Sequence, residues 1–452
     1  PLLKAVKDGE IEESLVDEKV RNILRMMLRL KMIGPERKHR KTGAYNTEEH
    51  RRAVLDVARE SMILLKNEDQ VLPLQAESGC KVAVIGANAA AVHSNGGGSA
   101  EIKALYEISP LMGIKKLLGG NVKVSYAPGY VIPDKKEASE INWQAASTET
   151  AENTEKESTV SGRTLDEKRQ EALAEAVALA KASDIVIFVG GLNHDFDVEG
   201  LDRVNMKLPY GQDEVIDALL KAVPDTVVCM YAGAPVEMPW AEKAKAILWS
   251  YYAGMEGGTA LAEILSGKVN PSGKLAETFI RDASQCPAHT IGTFGKKDRV
   301  EYREGVMVGY RYYDTKKTDV LFPFGHGLSY TAFTYNDLEI IRQQENGRQT
   351  VKVSCSVTNT GEHAGKETVQ IYVAPEQKKD RPVHELKAFE KVRLDAGETK
   401  RICVILEERD FFRYDTDKKM PVPVNGTYEI QVGASSTDIC LCGKIDLFFA
   451  EG

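Results

Sequence analysis

Ile185-Val-Ile-Phe-Val189 is an unbroken apolar run of strand length, and the acidic stretch Asp197-Val-Glu199-Gly-Leu-Asp202-Arg203 follows it closely. A run without polar alternation suits a strand covered on both faces. Four further runs of the same kind, Val82 to Ile85, Val122 to Tyr126, Val227 to Tyr231 and Ile247 to Tyr251, alternate with helical patterns. The order βαβα predicts a parallel sheet within an α/β domain. The helix before Ile185 opens on the capping-box pattern Thr164-Leu-Asp-Glu167 and continues through Leu173, Val177 and Ala180 at helical spacing. In such sheets, ligands lie in the crevice beyond the carboxyl ends of the strands, so the loop carrying Glu199 faces substrate rather than core. Glu199 is therefore the candidate catalytic acid. Asp195, Asp197 and Asp202 disfavour its ionisation while Arg203 opposes them, which predicts a carboxyl that keeps its proton near neutral pH.

Upstream, Val16, Val20, Ile23, Met27 and Leu30 share one face of a helix predicted over 14–33 and ended by Gly34-Pro35. The basic stretch from Arg37 to Lys41 reads as a solvated linker, and Val54, Val57, Ala58, Ser61 and Met62 mark a second helix. The polar segment Gln144 to Thr159 reads as a surface insertion. Downstream the period changes to two: Val351, Val353, Cys355 and Val357 alternate with polar residues, as do Val369, Ile371 and Val373, and Tyr428, Ile430 and Val432. Asn359-Thr-Gly361, Ala396-Gly397 and Asn425-Gly426 punctuate these runs with turn residues, so a β-sandwich follows the α/β domain. The expected organisation is a helix and linker over 1–47, an α/β sandwich domain over 48–285, an irregular linker over 286–333 and an all-β domain over 334–452.

The chain has 452 residues, enough for more than one core, and a net charge of −8. That balance gives no attraction to phosphate backbones or anionic membranes, so no nucleic acid and no membrane is expected as a partner, whereas a neutral sugar is compatible. Charged residues interrupt the longest apolar stretch well short of a membrane span. Seven cysteines without pairing rhythm read as reduced thiols and make the cytoplasm the expected location. The sequence opens on Pro1 rather than methionine, which is compatible with a removed leader or a preceding domain.

Asn95 to Ser99 is a glycine-rich loop whose backbone N–H groups can approach a ligand, although an ordinary turn is an equal reading. Asp195, Asp197, Glu199 and Gly200 fall on positions one, three, five and six of a calcium loop, but Met206 stands where that loop needs a bidentate glutamate. No metal and no organic cofactor is expected. Glu256 follows another strand and reads better as a partner of the helix beginning near Gly258 than as an acid of the crevice. Asp202 and Arg203 are expected to form a local ion pair. His194 is a candidate substrate contact weighed against simple solvent exposure, and Tyr310 to Tyr313 reads as interdomain packing.

Gly96-Gly-Gly-Ser-Ala100, Val198-Glu-Gly-Leu-Asp-Arg203 with Leu208-Pro209 and Gln212, Tyr252-Ala-Gly-Met-Glu-Gly-Gly258, Asn270-Pro-Ser-Gly-Lys274, Gly309-Tyr-Arg-Tyr-Tyr313 and Phe322-Pro-Phe-Gly-His-Gly-Leu-Ser-Tyr330 occur in this order. With them the chain resembles the part of glycoside hydrolase family 3 β-glucosidases that follows their (β/α)8 barrel. The resemblance implies an aspartate nucleophile on that barrel, the acid/base on an α/β-sandwich loop at Glu199, and a fibronectin type III-like sandwich. It also implies sugar contacts near Gly97, Gly98 and Ser99, with His194, Asp202 and Arg203 as neighbouring candidates. The expectation is a retaining β-glucosidase portion acting on β-glucosides or oligosaccharides, with the nucleophile on a separate barrel polypeptide. A homo-oligomer is compatible with the sequence. Alternatives are a β-xylosidase or arabinosidase, or a non-catalytic carbohydrate-binding or interaction module.

Overall fold

The structure, a computed structural model, describes residues 1–39, 41, 43–133, 164–295, 298–345, 348–376 and 381–449. The chain divides into two units, Pro1–His50 and Arg51–Gly452. In the first, helix α1 (Leu2–Lys7) precedes α2 (Glu13–Arg29), no residue of which is buried. Helix α2 stops earlier than its periodicity predicts, because Lys31 adopts a positive φ of 55° after the last turn. The expected insertion over Gln144 to Thr159 lies outside the described residues.

Helix α3 (Glu48–Ser61) runs across the division and leads into strand β1 (Ile63–Asn67). The sequence reading extended the helix to Met62 and missed this strand. A buried apolar run such as Ile63-Leu64-Leu65 carries no period that separates helix from strand. There follow β2 (Lys81–Ile85), α4 (Ala87–Ala90), α5 (Pro110–Leu118), β3 (Lys123–Ala127), α6 (Leu165–Lys181), β4 (Ile185–Gly191), α7 (Gln212–Ala222), β5 (Val227–Tyr231), β6 (Ala246–Trp249) and α8 (Gly257–Leu265). The strands form one sheet in the order β1-β6-β5-β4-β2-β3, parallel except that β1 runs antiparallel along the β6 edge.

Both faces of the sheet are covered. Ala83, Ile85 and Phe188 pack against Ala176 and Ala180 of α6 and Val215, Ile216 and Leu219 of α7, while Val82, Val84 and Val189 pack with Ile114 of α5 and Leu261 and Leu265 of α8. Each fully buried Val, Ile, Leu or Phe among them contributes about 1.5–3 kcal/mol. The capping box at α6 is present: Thr164 Oγ1 accepts from Glu167 N at 3.2 Å and Glu167 Oε2 accepts from Thr164 N at 2.8 Å. The chain leaves β2 in one direction to β3, then returns past β2 to build β4, β5 and β6 on the other side. The loops after β2 and β4 therefore emerge at this reversal, the place where such sheets form a ligand crevice.

After α8 come two short helices, α9 (Pro287–Thr290) and α10 (Tyr310–Lys316). An antiparallel sandwich follows, made of β7 (Phe333–Glu345), β8 (Arg348–Asn359), β9 (Gly365–Pro375), β10 (Glu385–Leu394), β11 (Thr399–Glu407), β14 (Gly426–Gly433) and β15 (Ile439–Leu447), with a small ribbon of β12 (Phe412–Asp415) and β13 (Met420–Pro423). Its sheets run β10-β9-β14-β15 and β11-β8-β7. The period-two residues Val351, Val353, Cys355, Val357, Val369, Ile371, Val373, Tyr428, Ile430 and Val432 all lie in its core. Tyr310 of α10 stacks on Phe324 at 4.6 Å between ring centroids and accepts from Leu386 N of β10 at 2.8 Å, so this aromatic run serves packing against the sandwich.

Candidate active site

Glu199 stands on the loop after β4, against the glycine loop after β2. Gly97 pairs in a parallel bridge with Val198, and Gly97 N donates to Asp197 O at 3.0 Å. One step further, Ser99 N donates to Glu199 Oε2 at 2.9 Å. Only glycine permits this approach: a Cβ on Gly98, whose φ is +79°, would sit 2.6 Å from Glu199 Cβ, and one on Gly97 would lie 3.1 Å from Val198 Cγ2. The glycine loop is thus a backbone clamp on the acid loop. Gly97 is buried, Gly98 is half-buried and Ser99 is exposed.

The electrostatics depart from the sequence expectation. Glu199 is exposed, and the Ser99 hydroxyl and then the Ser99 N–H hold its carboxylate below the ordinary range. The predicted rise from neighbouring carboxylates does not arise, because those groups are engaged elsewhere. Asp197 Oδ2 accepts from Gly233 N at 2.6 Å, and Asp195 Oδ2 accepts from Tyr210 OH at 3.1 Å. Two acceptor bonds on an exposed carboxylate favour its charged form, with little desolvation to oppose them.

His194 lies close by, but its Nε2 faces the Asn95 carbonyl at 2.7 Å and so donates to it, tying the acid loop to the glycine loop. His93 packs edge-on against it with ring centroids 5.8 Å apart, and burial followed by the charge of His194 pushes the His93 imidazole down. Asp202 is exposed, and the expected ion pair with Arg203 is absent. Arg203 Nη2 instead donates to Pro235 O at 2.9 Å, because the guanidinium turns inward toward the loop after β5. Its Nη1 is buried and has no hydrogen-bond partner among the described residues. Glu256 caps α8 and is occupied: Oε1 accepts from Tyr106 OH at 2.5 Å and Oε2 from Thr259 Oγ1 at 2.7 Å. Among the described residues, no three His, Cys, Asp or Glu side chains gather as metal ligands.

The sequence reading missed the supports of the loop. Asn193 caps its first turn, taking Asp195 N on Oδ1 at 2.9 Å and Asp197 N on its carbonyl at 2.8 Å, while its Nδ2 donates to Tyr210 OH at 3.0 Å. Gly233, on the loop after β5, donates its N–H to the Asp197 carboxylate. Asn193 had a visible signal, an Asx residue just after a strand. Gly233 had none, since only the tertiary fold brings it to the loop.

The glycosyl hydrolase family 3 C-terminal domain matches residues 62–330, and a fibronectin type III-like domain matches residues 367–436. The chain is 38% identical to thermostable β-glucosidase B of Acetivibrio thermocellus over 97% of this chain and 53% of that protein. It is 35% identical to an exo-α-(1→6)-L-arabinopyranosidase of Bifidobacterium breve over 97% of this chain and 54% of that protein. The crystal structure of a family 3 β-glucosidase of Bifidobacterium adolescentis superposes with a TM-score of 0.79 at 34% identity, covering 99% of this chain and 60% of that one. The chain spans about half the length of these two enzymes. With the family 3 domain matching more than half of its residues, the chain belongs to glycosyl hydrolase family 3.

Proposed function

We propose that this chain carries the general acid/base of a retaining β-glucosidase, with Glu199 in that role. The observation that carries this reading is the placement of Glu199 at the reversal point of the sheet, clamped through Ser99 N at 2.9 Å. In the first step Glu199 gives its proton to the glycosidic oxygen as a second carboxylate attacks the anomeric carbon and the C–O bond breaks. In the second, the Glu199 carboxylate takes a proton from water as that water displaces the nucleophile and releases the sugar.

Retaining chemistry requires the two carboxyl groups about 5–5.5 Å apart. Glu199 supplies one of them in this reading. The nucleophile then belongs to a barrel unit outside the described residues, and a separate barrel polypeptide is the arrangement we put to test. Closing that unit over the crevice would bury Glu199 and bring a like charge beside it. Both changes raise a carboxyl pKa, opposing the Ser99 bonds that hold Glu199 down, and favour the protonated form that a proton donor needs.

A sugar-binding module without turnover is a second reading, and the exposed, ionised state of Glu199 favours it. Treating the native preparation with a 2-deoxy-2-fluoro β-glucoside and weighing its polypeptides separates the two. A covalent adduct on a barrel-sized second polypeptide supports the two-chain enzyme, an adduct on a longer form of this chain supports one polypeptide, and no adduct supports the module. Running the β-xyloside and the arabinopyranoside in parallel identifies the sugar. We also place the protein in a reducing cytoplasm on the strength of its seven free thiols, a location that cell fractionation checks. Self-association is read from sedimentation.

A further inference from the structure

Asp197 is tied to the structure around it at three points. Its backbone N donates to Asn193 O at 2.8 Å, its carbonyl accepts from Gly97 N at 3.0 Å, and its carboxylate Oδ2 accepts from Gly233 N at 2.6 Å. The hydroxyl of half-buried Tyr252, on the loop after β6, is enclosed without a hydrogen-bond partner among the described residues, and burial first, then the charge of Asp197, push the phenol up. Two loops, those after β2 and β5, therefore bond to one residue two positions before Glu199. Gly233 is a glycine for this purpose, since a Cβ there would stand 2.8 Å from Asp197 Oδ2.

The geometry points to Asp197 as the positioning residue that sets where Glu199 presents its carboxyl to the glycosidic oxygen. This rests on the acid/base reading above and deepens it. Asp197 touches no reacting atom. Its carboxylate fixes the loop laterally through Gly233, while the Gly97 bridge fixes its height in the crevice. Glu199 itself has only one clamp, Ser99, on an exposed surface, so a loop released at Asp197 carries the acid out of line. A displacement of about 1 Å costs on the order of 100-fold in rate when the group must be aligned for transfer.

The test uses the complete enzyme and a series of aryl β-glucosides of graded leaving-group pKa beside a natural disaccharide. Asp197→Ala lowers kcat/KM on the disaccharide about 100-fold and leaves kcat/KM of the most activated aryl glucoside almost unaffected, because kcat/KM reports the first step and that leaving group needs no proton. On the activated substrate kcat falls with the slowed release of the sugar. Asp197→Asn keeps an acceptor oxygen for Gly233 N–H and recovers most of the rate. Gly233→Ala, which pushes on the same carboxylate from the other side, reproduces the Asp197→Ala pattern. Added to Glu199→Gln, Asp197→Ala has no further effect, since the group it positions is gone. Equal loss of kcat/KM on activated and natural substrates, or full additivity with Glu199→Gln, overturns the role of Asp197. If Glu199→Gln itself shows no leaving-group dependence, the acid/base reading fails instead.

Discussion

The crevice and the seam between the α/β domain and the β-sandwich both carry carboxylates, and they treat them in opposite ways. At the seam, Glu60 is paired with Lys366 and Lys391, buried Glu367 with Lys274 at 3.0 Å, and Asp314 with His384 at 3.1 Å. At the crevice, Glu199 and Asp202 are exposed, and among the described residues the Glu199 carboxylate is bonded by Ser99 with no ion-pair partner. The seam satisfies its charges internally, which holds two domains in register. The crevice leaves its charge facing outward, which is what a site completed by substrate or another unit requires.

The largest way to break this contrast is to remove the unsatisfied charge. Glu199→Gln lowers kcat on natural disaccharides by about 100- to 10,000-fold, the usual range for a lost acid/base, and leaves folding intact. Steady-state kinetics together with a thermal melt check both halves. At the seam the expected damage is to stability. Lys274→Met strands Glu367 in the interior and costs about 3–5 kcal/mol, measured by urea unfolding. Burial already pushes the Glu367 carboxyl up, with the Lys274 charge opposing it. Folding therefore favours its protonated form, and stability is lost as pH rises through the raised value. Without Lys274 that window moves higher, so the deficit of the variant shrinks as the buffer is acidified.

Gly98→Ala sharpens the contrast from the crevice side. The new Cβ meets Glu199 Cβ at 2.6 Å on a residue with φ of +79°. It costs about 1–2 kcal/mol of backbone strain and lowers turnover by displacing the acid, whereas no comparable substitution at a seam carboxylate touches activity. The smallest effect lies away from both regions. Thr164→Ala removes the capping box of α6 and costs about 1 kcal/mol with unchanged kinetics.

Legibility in the sequence followed period and chemistry. The sandwich was readable almost residue by residue, because period two maps directly onto burial at Val351, Val353, Cys355 and Val357. The five parallel strands were readable from apolar runs between helical patterns. Strand β1 was not, because Ile63-Leu64-Leu65 is as apolar as the helix end it follows. In the crevice, the motif residues Glu199, Gly97, Gly98 and Ser99 were singled out together and the structure brings them together. Their electrostatics were misjudged for a physical reason: sequence proximity of Asp195 and Asp197 was taken as charge proximity, whereas their carboxylates are drawn to Tyr210 and Gly233. The inward turn of Arg203 was hidden for the same reason, since its partner, the Pro235 carbonyl, is a neighbour only in the fold.

The role of Glu199 is tested most directly by replacing it with alanine in the complete enzyme and supplying azide with an activated aryl β-glucoside. An acid/base leaves behind a glycosyl intermediate that azide can attack in place of water. The account predicts that azide accelerates turnover and that the product is the β-configured glucosyl azide. Absence of acceleration, or an α-configured azide that would mark Glu199 as the nucleophile, would contradict it.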